Sequence, residues 1–327
     1  MFIVSTGSYL PEKVLHNKDL EQPLDTTDEW IQTRTGIRER RIAAAGEATS
    51  DLCLAASQRA FASTGLGPAD LDMILVTTIT PDTMCPSAAC WLQSKLGAER
   101  ALAFDLAAAC SGFLFGLHTA QAHFAGDPKL ETVLLCSAEV MSRTVDWEDR
   151  SSCILWGDGG AAAILRRQGP GLRLRRVIVR TQGAYGEDLL LPGGGSRTTP
   201  ISHQSVDEKR HTLRIEGKKT FRVAVRCMSE IAEEILRVEG VRLEDVDWVI
   251  PHQANRRIQE AVAHTLKLPL EKMVFTIEKY GNISSATIPI ALDEALRDGR
   301  IRPGHRVLLT AFGGGLTWGS AILEFEG

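Results

Sequence analysis

The second half of this chain of 327 residues repeats the first. Leu66-Gly67-Pro68-Ala69-Asp70-Leu71-Asp72-Met73-Ile74 returns as Val241-Arg242-Leu243-Glu244-Asp245-Val246-Asp247-Trp248-Val249, and Glu131-Thr132-Val133-Leu134-Leu135 returns as His305-Arg306-Val307-Leu308-Leu309. Trp156-Gly157 and Trp318-Gly319 each precede an apolar run. The stretches from Cys110 to Gly126 and from Asn282 to Asp298 cover the same interval, and each ends at a Gly/Asp pair. A unit this long is too large for a solenoid repeat. It predicts two related βα halves, 1–170 and 171–327, packed about a pseudo-twofold axis. That symmetry makes the two central helices neighbours and brings Cys110 near Asn282. Strands are expected at 1–7, 71–78, 101–106, 132–136 and after the Gly157–Gly160 turn, with helices near 50–63, 90–96 and 113–124.

Cys110 stands in Ala107-Ala108-Ala109-Cys110-Ser111-Gly112-Phe113, where an apolar strand hands over to an apolar helix. The free N–H groups and partial positive charge of a helix start favour a thiolate. On position alone, a structural cysteine is the commoner reading. His252 ends the run Val246–Ile250 and Pro251, where α/β sheets place their chemistry. Asn282 opens the second central helix, and Phe312-Gly313-Gly314-Gly315 begins a glycine loop with free backbone N–H groups. A nucleophile, a nitrogen base or donor, an amide and such a loop are the parts of an acyl-transfer site with an oxyanion hole. Thr26 to Arg41 combines a capped helix start, Trp30 and an arginine-rich turn. That mix suits a phosphorylated, base-bearing ligand, although a solvated charged face is the commoner explanation. Net charge −4, with 44% hydrophobic and 24% charged residues, fits a soluble globular protein and argues against a dedicated nucleic-acid binder. No run is long enough to cross a bilayer, and the first residues lack the pattern of a signal peptide. The seven cysteines are scattered singly without metal-ligand spacing, which fits a reducing cytoplasm.

Ala108-Ala109-Cys110-Ser111-Gly112-Phe113, His252-Gln253-Ala254-Asn255, Gly281-Asn282 and Phe312 to Ser320 together resemble the β-ketoacyl-acyl-carrier-protein synthase III family. The resemblance covers nearly the whole chain, including Thr33–Arg40 and the Gly157-Asp158-Gly159 turn. It implies an α/β thiolase-like fold of duplicated βαβαβαββ halves in five layers, α-β-α-β-α. It also implies a cytoplasmic homodimer, free of metal and redox cofactor, that condenses an acyl-coenzyme A primer with malonyl-acyl-carrier-protein. The resemblance makes Cys110 the nucleophile, with its own N–H and that of Gly314 as the oxyanion hole. His252 and Asn282 donate to the malonyl thioester oxygen, and Phe312 flanks the site. Trp30 and Arg150 sandwich the adenine of coenzyme A, Arg34 and Thr26 meet its nucleotide end, and Asn255 and Gly217 line the pantetheine tunnel. Lys218 stands where well-known members carry a tunnel Asn. Arg257, Arg222 and Arg256 form the basic patch for the carrier protein. Acetyl-primed members commonly carry Phe where this chain has Cys85, next to Met84, so the acyl pocket is expected to take primers longer than acetyl.

Three other readings compete. Papain-like thiol hydrolases use Cys, His and Asn in the same chain order, but Cys110 lies mid-chain after a buried strand and the local hydrolase signature is missing. A thiolase-fold relative making specialised metabolites from other coenzyme A thioesters uses the same triad. Gly157-Asp158-Gly159-Gly160 lacks the lysine of a phosphate loop and opens into a strand, so a nucleotide site there has little support.

Overall fold

The computed structural model describes residues 1–196 and 201–326; the side chain of Lys218 lies outside the described atoms. Nine strands form one mixed sheet: β1 (Phe2–Tyr9), β2 (Met73–Thr77), β3 (Leu102–Leu106), β4 (Thr132–Val140), β5 (Asp158–Arg166), β6 (Gly171–Thr181), β7 (Trp248–Pro251), β8 (Arg306–Gly313) and β9 (Thr317–Glu326). Their order across the sheet is β3-β2-β4-β5-β1-β6-β9-β8-β7. Outward from the β1–β6 seam the two flanks have the same plan. One runs β1-β5-β4-β2-β3; the other runs β6-β9-β8-β7, with a parallel bridge from Val249 to Met273 in the place of β3. The ladder senses agree as well: β2–β4 and β7–β8 are parallel, whereas β4–β5, β5–β1, β8–β9 and β9–β6 are antiparallel. β1 and β6 pair antiparallel at the seam, through Phe2 with Arg173 and Ile3 with Leu172.

The repeated sequence motif repeats a local device. The Asp72 carboxylate accepts the Thr132 N–H at 2.9 Å while the Asp72 N–H donates to the Thr132 carbonyl; Asp247 makes the same pair of bonds with Arg306. Each aspartate thereby sets the register of two neighbouring strands.

Seven main helices pack on this sheet: α1 (Asp28–Thr35), α2 (Thr49–Phe61), α3 (Ala88–Leu96), α4 (Gly112–Gly126), α5 (Gly217–Glu239), α6 (Arg256–Leu266) and α7 (Thr287–Arg297). The strands are buried on both faces, so alternate side chains enter different layers. Met73, Leu75, Val133 and Leu135 share a core with α4 and α7, whereas Ile74, Val76 and Leu134 pack with α2 and α3. In the second flank Val307 and Leu309 join the α4–α7 core, while Leu308 and Ile322 pack with α5 and α6. The result is five layers, α-β-α-β-α, with α4 and α7 enclosed in the middle.

The expected pairing of Cys110 with Asn282 across the axis is three residues out of register. Ala109 and Ser284, both with φ 45°, open short 3₁₀ turns that lead into α4 and α7. The counterpart of Cys110 is therefore Ser285. The two helices have different lengths, 15 and 11 residues, so matching them by their closing Gly/Asp pairs misplaces their starts. The arginine-rich turn is a solvated face only in part: Arg34 and Arg38 are exposed, but Arg40 is not. Glu39–Ile42 pairs with Lys13–His16, and Arg40 is fully buried, donating to Asn17 Oδ1 and to the carbonyls of Leu15 and Ile154.

Candidate active site

Cys110, His252 and Asn282 line one cavity of about 150 Å³, together with Trp156, Phe312 and Gly313. Cys110 lies in the turn before α4, which β9 staples in place: the Ser111 hydroxyl donates to the Thr317 carbonyl at 3.1 Å, and the Thr317 hydroxyl donates to the Ala108 carbonyl at 2.9 Å. His252 follows β7, and its N–H donates to the Thr310 carbonyl at 2.8 Å. Its Nδ1 lies 2.6 Å from the Thr287 hydroxyl, which stands 3.2 Å from the Ser284 carbonyl. A donor role for Nε2 requires the Thr287 hydroxyl to turn its proton from the Ser284 carbonyl toward Nδ1. The Asn282 Oδ1 accepts the Ser284 N–H at 2.8 Å, so the amide NH₂ is the part left to donate.

Burial decides the charges. It pushes the Cys110 thiol up to about 12; the Ser284 hydroxyl and the cysteine's own N–H pull the other way, and Glu139 adds to the rise. Burial also lowers His252 to about 3. The resting pair is thus a thiol and a neutral imidazole. Burial thus works against the thiolate that the helix start favours. Glu139, fully buried at the end of β4, accepts from the Ile79 N–H and from the hydroxyls of Thr78, Thr80 and Ser285. Burial raises its carboxyl and those bonds oppose the rise. Sequence reading missed Glu139, Ser284 and Thr287; the one signal was a lone carboxylate closing an otherwise uncharged strand.

Within the glycine loop Gly313 lines the cavity: a Cβ there would stand 2.7 Å from the Cys110 nitrogen, so the loop passes directly against the Cys110 backbone. Gly314, the residue expected in the oxyanion hole, follows in the turn and packs on Leu189.

A second groove joins the first through Gly217, Phe221 and Asn255, and is lined by Trp30, Arg34, Arg222 and Arg257. Arg222 and Arg257 therefore line this second groove. Arg256 is committed elsewhere, bonded to Glu260 at 2.8 Å and stacked 3.6 Å from the Phe275 ring centre. Asn255 caps α6 through the Arg257 N–H and ties that cap to the Arg34 carbonyl. The Arg150 guanidinium lies 4.8 Å from the centre of Trp30 and is held by the Asp25 carbonyl and carboxylate. An adenine between them needs about 7 Å, two van der Waals contacts, so Arg150 must swing aside to admit one. Thr26 does not line the groove, and its hydroxyl is buried without a partner. Met84 and Cys85 are exposed and lie away from the Cys110 cavity, Met84 lining a separate surface groove. Among the described residues, no cluster of three or more His, Cys, Asp or Glu forms a metal site, and no helix is long and apolar enough to cross a membrane.

This fold around this site is that of the thiolase-like condensing enzymes, a class of acyltransferases. The chain matches the family described as 3-oxoacyl-[acyl-carrier-protein (ACP)] synthase III over residues 104–183, and its C-terminal counterpart over 236–325. It is 48% identical, over 99% of its length and 97% of the relative's, to the β-ketoacyl-[acyl-carrier-protein] synthase III of Caldanaerobacter subterraneus subsp. tengcongensis. The crystal structure of 3-oxoacyl-[acyl-carrier-protein] synthase III from Aquifex aeolicus superposes with a TM-score of 0.90 at 42% identity, covering 99% of both chains. The priming β-ketosynthase of the R1128 polyketide pathway is also similar, with a TM-score of 0.89 at 34% identity over 99% of this chain and 96% of that one. The chain belongs to the β-ketoacyl-acyl-carrier-protein synthase III family.

Proposed function

We propose that this chain starts fatty-acid synthesis by joining an acyl-coenzyme A primer to malonyl-acyl-carrier-protein. The observation that carries this reading is the convergence of Cys110, His252 and Asn282 on a mostly apolar cavity that opens into a groove bearing Trp30, Arg34, Arg222 and Arg257. Cys110 attacks the primer thioester: its S–H bond breaks, a new S–C bond forms, and the proton ends on the departing coenzyme A. The malonyl group then loses carbon dioxide. His252 Nε2 and the Asn282 amide donate to its thioester oxygen, where the enolate charge gathers. The carbanion attacks the Cys110 thioester, releasing a β-ketoacyl product, and the cysteine sulfur recovers a proton from water. The neutral imidazole suits this role, because it donates without first having to gain a proton.

The cysteine N–H and the glycine loop at Gly313–Gly314 supply the oxyanion hole, and Phe312 shields the carboxylate from water. Trp30, Arg150 and Arg34 hold the nucleotide end, with Thr26 behind them; Gly217 and Asn255 border the pantetheine arm. Arg222 and Arg257 attract the acidic carrier protein, chiefly by steering. The reaction needs no metal or redox cofactor and belongs in the cytoplasm. The two halves divide near residue 170. Met84, 82% exposed, and Leu102, 57% exposed on the edge strand β3, support a homodimer. In it Cys85 closes the partner's acyl pocket, and its small side chain admits primers longer than acetyl. The likeness to a polyketide priming enzyme favours a second reading, in which the same chemistry serves a specialised product.

Intact-protein mass after incubation with acyl-coenzyme A primers of increasing length tests the first half-reaction and the pocket. An acyl adduct that is lost in Cys110→Ala is expected, extending beyond three carbons. No adduct with any primer would sink the reading. Turnover with malonyl-acyl-carrier-protein but not malonyl-coenzyme A separates the fatty-acid role from condensation of two coenzyme A thioesters.

A further inference from the structure

Asn282 is held by its backbone. Its N–H donates to the Leu155 carbonyl at 2.8 Å and its carbonyl accepts the Gly157 N–H at 3.1 Å, a single parallel bridge between two distant segments. The segments touch directly. A Cβ on Gly157 would strike the Tyr280 carbonyl, and one on Gly281, φ 65°, would stand 2.8 Å from the Leu155 carbonyl. The side chain nearest to both glycines is that of Arg40, its Cβ 3.2 Å from the first of those positions and 3.3 Å from the second. Arg40 is fully buried. Its Nη2 donates to the Ile154 carbonyl at 2.7 Å, one residue before the bridge, while its Nη1 donates to Asn17 Oδ1 at 2.8 Å and to the Leu15 carbonyl at 3.2 Å. Asn17 is itself fixed, donating to the Asp28 carboxylate at 2.8 Å and to the Ile37 carbonyl at 2.7 Å. The Arg38 N–H donates to the Glu278 carbonyl at 3.0 Å, so the strand that carries Arg40 is also bonded to the turn before Asn282.

We propose that Arg40 is a positioning residue for Asn282: it fixes the backbone at 154–157 that clamps Asn282, and so aims the amide whose Oδ1 is already taken by the Ser284 N–H. This rests on reading Asn282 as a donor to the malonyl thioester. A buried cation is costly, and an apolar side chain could fill the same space. What the planar guanidinium adds is a rigid fork that joins Ile154 to Asn17 at a fixed span. Arg40 lines neither the cavity nor the groove, so it touches no substrate. It serves the second half-reaction, because the Cys110 turn is stapled from β9 and not from this bridge.

The test compares wild type with Arg40→Lys and Arg40→Gln. Lys keeps the charge and Gln removes it, and neither presents the forked pair of donors that reaches Ile154 and Asn17 at once. Two rates are read by intact-protein mass: acylation of Cys110 by acetyl-coenzyme A, the shortest primer, and consumption of the preformed acetyl-enzyme by malonyl-acyl-carrier-protein. Both variants are expected to acylate within about twofold of wild type and to consume the acetyl-enzyme about tenfold more slowly, part of the roughly hundredfold that loss of a whole transition-state donor costs. Combined with Asn282→Ala, neither substitution is expected to slow consumption further, since a residue that acts through another adds nothing once that one is gone. A residue needed only for folding would slow both rates together, or add its loss to that of Asn282→Ala. Either result overturns the proposal, as does wild-type consumption in a folded variant or failure of both variants to fold. Wild-type consumption in Asn282→Ala alone overturns the role of Asn282 itself, which is a separate outcome.

Discussion

Gly313→Ala is a small change with a large expected effect. The added Cβ would lie 2.7 Å from the Cys110 nitrogen, 3.1 Å from the Ser111 nitrogen and 3.2 Å from the Cys110 Cα. All three atoms are backbone, so no flexible side-chain tip can give way. Ordinary contact begins near 3.4 Å, so the strand end and the nucleophile turn must part by about 0.7 Å. The turn is stapled through Ser111 and Thr317, so the displacement falls on the Cys110 sulfur and its N–H. A misplacement of about 1 Å costs roughly a hundredfold in rate, and overpacking costs about 1–3 kcal/mol of a stability of about 5–15 kcal/mol. The variant is therefore expected to fold, with Cys110 acylation about a hundredfold slower in a rapid-quench mass assay. Gly67→Ala is the control: it lines neither the cavity nor the groove, and its added Cβ meets no atom within 4 Å, so acylation should stay at the wild-type rate. Wild-type acylation by Gly313→Ala, or a chain that fails to fold, would refute the reasoning.

Two further outcomes follow from the site. Trp30→Ala removes the aromatic face of the groove proposed to hold the nucleotide, so KM for acyl-coenzyme A should rise about tenfold with kcat unchanged; a fall in kcat at constant KM counts against that role. His252 titrates near 3 when folded and near 6.5 when unfolded, so the unfolded chain takes the proton first. This residue therefore removes stability as pH falls from about 6.5 toward 3 and none above that window; denaturant unfolding at pH 7 and pH 5 should show a smaller loss for His252→Gln than for wild type.

Much of the architecture was legible because it is written in local patterns. The apolar runs at 73–77 and 132–140 mark strands buried on both faces, and the Asp72 and Asp247 motifs announce the duplication in residues that do the same job in each flank. Cys110, His252 and Asn282 could be picked out because each sits at a recognisable junction between elements. Arg40 could not be read correctly: an arginine among other arginines looks solvated, and only the strands folded over it show that its donors go to Asn17 and two carbonyls. Glu139 and Ser284 gave little signal, because their partners lie far away in the chain.

The places of the first-half strands along the chain, the duplication and the three chemical groups are thus legible in the sequence, through periodicity and short motifs. The tertiary structure decided how those groups behave. It set Ser285 rather than Asn282 opposite Cys110, brought Gly313 against the nucleophile, closed Arg150 onto Trp30, and held the thiol and imidazole uncharged. The reason is physical: ionisation depends on loss of water and on close contacts, and both come from residues that the linear chain keeps tens to hundreds of positions apart.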